Sequence, residues 1–334
     1  MKRLLIVVLG LTAAVTALSP GVEAYLKLGT EVDGRVVGVS WDSFPIRYFI
    51  TDRDDDRVSA GELEGAVGRA FDTWTSVETA SVSAVFGGFT TADPFEDDGL
   101  SVIGFESRPD MDRTLGATTF EVETTTGRVV SADIFLNSIF DWSVSSTGEA
   151  GRFDLESVAA HELGHLLGLG HSALGETELI SSGGRRVLGK RAVMFPIAYP
   201  RGSIEDRTLE ADDIAGLGDV YASSEFNRTR GAIRGRVKLG GQGLFGAHVT
   251  AFNIRTGALV AGFSLNEQGD FVIGGLEPGL YVVRVEPLDD ADIDSFFGED
   301  TEVNIDFRAA YVPRLVAVPA GGAGDAADIT VTAK

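Results

Sequence analysis

The sequence predicts an α+β domain followed by an all-β sandwich, and three observations carry that expectation. Short β-prone runs in the first two thirds of the chain alternate with three segments of helical periodicity. Beyond Phe226 the composition shifts to apolar strands separated by glycine-rich turns. The 334 residues are 44% hydrophobic, with 10 prolines, enough apolar material for two cores.

The elements follow in chain order. Lys2 and Arg3 precede an apolar run from Leu4 to Leu18, then Ser19, Pro20 and the small Ala24, which reads as an export signal over residues 1–24 with cleavage after Ala24. That run is about fifteen residues long and a membrane-spanning helix needs roughly twenty, so no stable membrane anchor is expected. A short N-terminal segment, residues 25–40, leads to the strand Trp41–Ile50, WDSFPIRYFI, with Pro45 near its start. Ser59 and Glu62 have capping-box spacing, and Leu63, Ala66, Val67, Ala70, Phe71 and Trp74 repeat at helical intervals behind them. Strands are expected at Val82–Phe86, Leu100–Phe105, Thr118–Val122 and Ile134–Leu136. Asp154 can cap a second helix from Leu155 to Leu167, which Gly168 and Gly170 end, and a third spans Leu209–Tyr221 with Glu210, Asp212 and Asp213 in its early turns. After a linker at 223–230, the sandwich occupies 231–334, with a hairpin loop at Asn266–Gly269 and a turn at Pro278–Gly279.

Charge and cysteine content narrow the function. A formal charge of −22 repels phosphate-bearing surfaces, so nucleic acids and anionic lipids are poor partners. With no cysteine anywhere, disulfides, a lipidated cysteine at the signal junction and thiolate chemistry are all excluded. Folding must rest on core packing, to which a bound metal could add.

Residues His161 to His171, HELGHLLGLGH, contain the complete HExxHxxGxxH pattern. Four residues apart on a helix, His161 and His165 project from one face and can share a zinc ion. Gly168 allows a sharp turn that brings His171 round as a third ligand from outside the helix. Three protein ligands leave one position for water, as in catalytic zinc sites, and Glu162 stands beside it as general base. The alternative is an ordinary helix with core histidines. Three of the chain's four histidines lie in the pattern, beside the required Glu and Gly, which favours the metal. His248 stands alone in the sandwich and is expected to be a surface or hydrogen-bonded core residue.

Val158 to Ser172, VAAHELGHLLGLGHS, closely resembles the zinc helix of the matrixins, the matrix-metalloproteinase branch of the metzincins. Ala192–Pro196, AVMFP, resembles their Met-turn, with Met194 beneath the metal; Leu209–Tyr221 resembles their closing helix with Asp212 and Asp213 paired, and SFPIRYFI their opening strand. The resemblance covers most of residues 41–222. It implies a twisted mixed sheet plus three helices, a substrate cleft, one catalytic zinc, and a secreted endopeptidase acting on proteins or peptides. Pro196 and Tyr199 would then line the substrate pocket, Tyr199 one residue later than the commonest spacing. The rival reading is a non-catalytic extracellular binding or adhesion protein whose zinc is a staple; a staple has no use for Glu162.

Several departures limit the resemblance. Without cysteine there is no cysteine-switch latency, the segment before Trp41 is short for a folded prodomain, and residues 115–137 lack the histidines of a second, structural zinc. The connection from His171 to Met194 is long and carries Arg185, Arg186, Lys190 and Arg191; a solvated loop is expected. Acidic runs at Asp52–Asp56, Asp93–Asp98 and Asp289–Asp294 invite calcium, for which no ligands are assigned; the first fails the EF-hand pattern, with Arg57 where Gly is needed and Leu63 where Glu is needed. Ile233–Val285 resembles the carboxypeptidase regulatory-like β-sandwich, an accessory module that by fold analogy would attach to substrate or to a surface.

Overall fold

A computed structural model describes residues 4–9, 27–32, 35–123, 125–181, 184–298 and 301–334. The expected export signal lies outside the described residues except for Leu4–Leu9, whose backbone pairs antiparallel with Gly116–Glu123.

The first part of the chain is built on a six-stranded mixed sheet in the order Leu4–Leu9, Gly116–Glu123, Arg128–Asn137, Val102–Glu106, Ile46–Thr51, Ala84–Thr90. The four strands from Ala84–Thr90 to Arg128–Asn137 pair in parallel, and Gly116–Glu123 runs antiparallel to its neighbour. Helix α1 (Ala60–Thr75) starts at the expected capping box: Ser59 accepts from the Glu62 amide and Glu62 from the Ser59 amide. Its buried face, Leu63, Ala66, Val67, Ala70, Phe71 and Trp74, is the one the periodicity marked. Helix α2 (Leu155–Leu166) is capped by Asp154, which accepts from the Ser157 amide. The two helices pack together, and Trp74 Nε1 donates to the Ala160 carbonyl at 2.8 Å inside the core they share with the sheet. Helix α3 (Ala211–Val220) closes this part.

Two segments differ from expectation. Residues 223–230, read as a linker, contain a short helix α4 (Ser224–Thr229), because the Ser223 side chain accepts from the Phe226 amide and starts a turn. The basic stretch after His171 is a β-hairpin, Gly175–Leu179 against Arg185–Lys190, instead of a solvated loop. One of its arginines reaches the second part of the chain: Arg185 Nη1 donates to the Asp289 carbonyl at 2.8 Å.

The second part is a sandwich of two five-stranded sheets. One joins Gly231–Leu239 to Gln242–Gly243, Asp270–Leu276 and, in parallel, Ala323–Ala333, which pairs in turn with Phe307–Arg308. The other joins Leu259–Phe263, His248–Asn253, Gly279–Glu286, Ala310–Tyr311 and Val316–Val318. Ile233, Val249, Ile273, Val283 and Val285 fill the space between them. His248 is buried here, with Nδ1 3.3 Å from a Glu286 carboxylate oxygen.

A third hydrophobic cluster joins the two parts. It combines Ala173, Val187 and Phe195 from the first with Phe263, Leu265, Leu288, Ala291, Phe296 and Phe297 from the second.

Candidate active site

Helix α2 delivers His161, Glu162 and His165 to the floor of a cleft of about 710 Å3. Gly168 then takes φ +88°, which ends the helix and turns the chain so that His171 faces back toward it. A Cβ there would also lie 2.4 Å from the Val39 carbonyl, so the position excludes side chains twice over.

The three imidazoles converge. One nitrogen from each of His161, His165 and His171 lies within 4.8 Å of the other two, and the Nε2 atoms of His165 and His171 are 3.1 Å apart. Each Nδ1 sits against a backbone carbonyl: Val193 for His161 at 2.8 Å, Leu169 for His165 at 2.8 Å, and Ser295 for His171 at 2.6 Å. A carbonyl can only accept, so each Nδ1 must carry its ring's proton, and each Nε2 is left as a bare lone pair pointing at the others. Burial keeps the rings neutral. Desolvation, reinforced by the neighbouring imidazoles, drives His161 well down and His165 to about 3; desolvation alone lowers His171. Facing lone pairs repel unless a cation lies between them. Tetrahedral zinc at about 2.0–2.1 Å from each nitrogen would set them roughly 3.3 Å apart; the His165–His171 pair at 3.1 Å is close to that spacing, and three neutral imidazoles are a donor set that suits zinc. Among the described residues no other trio of His, Asp or Glu side chains converges in this way.

Glu162 is buried beside the histidines, and desolvation pushes its carboxyl up to about 7, against the downward pull of the Thr118 hydroxyl, which lies 2.9 Å from Oε2. Gly116, on the adjacent strand, leaves room for it: a Cβ there would stand 3.2 Å from both Cγ and Oε1 of Glu162.

Met194 is fully buried below α2. Its sulfur occupies the space over Gly164, where a Cβ would come within 2.2 Å of it. Asp213 holds this turn from beneath, accepting from the amides of Val193 at 2.9 Å and Met194 at 3.1 Å. Asp212 ties the irregular segment after His171 to the sandwich, accepting from the Ser172 hydroxyl at 2.6 Å and the Ala261 amide at 2.8 Å. Pro196 and Tyr199 both line the cleft. Tyr199 also accepts from the Lys190 amide at 3.2 Å, and the Lys190 ammonium sits 5.1 Å above its ring while pairing with Asp206 at 2.7 Å.

The matrixin family (peptidase M10) profile matches residues 40–182, a span that contains all three histidines and Glu162. Residues 40–182 are a matrixin-like metzincin domain. Relatives agree: Metalloendoproteinase 1 of Glycine max is 31% identical over 171 residues, covering 48% of this chain and 45% of that protein. Metalloendoproteinase 1-MMP of Arabidopsis thaliana is 32% identical over 188 residues, covering 54% and 44%. The chain thus spans less than half the length of either relative. Of the residues in and around the site, the sequence marks the imidazoles, Glu162, Met194, Pro196 and Tyr199, but not Thr118, Ser172 or, in the sandwich, Ser295. Thr118 sits on a β-prone run with nothing to distinguish it from Thr119, and Ser295 acts through a carbonyl, which every residue has.

Proposed function

We propose that the chain is a secreted zinc-dependent endopeptidase, with His161, His165 and His171 as metal ligands and Glu162 as general base. The observation that carries the reading is three neutral imidazoles aiming bare Nε2 atoms at one point, beside a buried carboxyl and at the floor of an open cleft.

Zinc held there would supply Lewis-acid polarisation of a peptide carbonyl and of a water molecule. Glu162 takes the proton that this water loses as its oxygen bonds to the carbonyl carbon, and passes it to the amide nitrogen as the C–N bond breaks. A carboxyl already raised to about 7 by burial is a stronger proton acceptor than an exposed glutamate. Thr118 orients it, its hydroxyl 2.9 Å from Oε2 and 3.0 Å from the Glu162 carbonyl. Met194 supports the floor, and Pro196 and Tyr199 face the substrate. Proteins or peptides are the substrates, and export by residues 1–24 places them outside the cell. No helix among the described residues is long and apolar enough to cross a membrane.

The deciding experiment is casein digestion by the Glu162→Ala variant, with zinc content measured in parallel. Zinc should stay at one equivalent while cleavage falls by about 10²–10⁴-fold. Undiminished cleavage would remove Glu162 as base, and a zinc-loaded wild-type chain that cleaves nothing would favour the non-catalytic binding protein.

A further inference from the structure

The three imidazoles do not draw support from the same place. His161 and His165 rest on the carbonyls of Val193 and Leu169, within the first part of the chain. His171 rests on Ser295, 124 positions along the chain and beyond most of the sandwich strands. This matters because His171 has left the helix. Past Gly168 no i, i+4 geometry constrains its ring, so its orientation depends on what its Nδ1 meets.

The turn that supplies the carbonyl is itself held firmly. Ser295 donates its amide to the Asp292 carbonyl at 2.9 Å, and the Phe296 and Phe297 amides both reach the Ile293 carbonyl at 3.0 Å. Phe296 and Phe297 are almost wholly buried in the cluster that contains Phe195, the residue after Met194. Outside the cluster, Asp290 accepts from the Thr177 amide at 2.8 Å, and its carbonyl accepts from the Thr177 hydroxyl at 2.6 Å. The hairpin is therefore clamped to the segment that leads directly into that turn.

We propose that the sandwich turn Asp292–Phe297 is a positioning element of the metal centre: the Ser295 carbonyl fixes the tautomer and ring angle of His171, and the shared phenylalanine cluster holds that carbonyl in place. The proposal rests on the reading of His171 as a metal ligand. A carbonyl on Nδ1 keeps the proton there, leaves Nε2 free for the ion and raises its basicity. The sandwich is then part of the metal centre, and an appended module that only attaches to substrate does not describe it.

The test uses the full chain and zinc alone, titrated against a competing chelator, in wild type, Phe297→Ala, His171→Ala and the double variant. Phe297 belongs to the cluster and does not line the cleft. Its truncation should weaken zinc binding by about 10–100-fold, the range for loss of support behind a metal ligand. In the His171→Ala background it should cause no further loss, because the support acts through that ring. Unchanged affinity in Phe297→Ala, or an equal loss in both backgrounds, overturns the proposal. Should Phe297→Ala fail to fold, Asp290→Ala takes its place: it leaves the cluster intact and is expected to weaken zinc binding several-fold with the same dependence on His171. Zinc coupling without proteolysis would sink the endopeptidase reading and leave this one standing; proteolysis without coupling would do the reverse.

Discussion

Half of the site is carried by one helix and half is assembled from distant segments. His161, Glu162 and His165 are placed by α2 alone, whose periodicity would align them in any protein that kept the helix. His171, the turn around Met194 and the carbonyl of Ser295 come from three further stretches, joined by contacts such as Asp213 to Val193 and Asp212 to Ala261. The lesson is that a metal-binding motif specifies ligand identity, whereas the rigidity of the site depends on residues outside the motif.

Removing a ligand from the helical half should have the largest effect. His165→Ala is expected to lose stoichiometric zinc and to reduce casein cleavage to background, while the far-ultraviolet spectrum stays close to wild type. If zinc stays bound at one equivalent, the helix does not carry the site. Next come substitutions in the assembled half. Asp213→Ala strips acceptors from the Val193, Met194 and Glu210 amides and should cost roughly 2–4 kcal/mol in urea unfolding. Gly164→Ala pits the two halves against each other, since its methyl would meet the Met194 sulfur at 2.2 Å and Trp74 at 2.9 Å; a loss of about 1–3 kcal/mol is expected from overpacking. A wild-type midpoint for this variant would mean that Met194 is not pressed against α2.

The smallest expected effect is a dependence on pH. Burial pushes Asp212 up to about 8 from an ordinary 3.8, so the folded chain keeps a proton that the unfolded chain has already lost. Between those values the folded Asp212 carboxyl holds more proton than the unfolded one, so its contribution to stability falls as pH rises from about 4 to about 8, against the opposite contribution of the three desolvated histidines in the metal-free protein. Asp213, raised to about 6, adds to the same slope over the lower part of that window. Relative to Asp212→Asn, the wild type should lose urea stability between pH 5 and pH 8; a difference between the two that does not change with pH would show that Asp212 is ionised in the fold throughout.

What could be read beforehand follows the same division. The capping box at Ser59, the apolar face of α1 and the spacing of the histidines are local signals, and each appears in the structure where its residues placed it. The hairpin at 175–190 was not visible, because Glu176, Glu178, Arg185 and Arg186 dilute its alternation and make it look solvated until Asp289 and Asp290 are brought opposite. Helix α4 hid in a stretch read as linker because six residues offer too little periodicity. Ser295 was hidden differently: it follows the acidic run Asp289–Asp294, which resembles ordinary surface charge, and its contribution is a backbone atom.

Phe195 shares its burial with Phe263, Phe296 and Phe297 across the join between the two parts of the chain. A protein divided after Tyr221 would present that aromatic surface to water, so the first part in isolation is a poor starting point for expression and invites aggregation. A sandwich exchanged for another at this boundary would have to bring matching aromatics with it to cover Phe195.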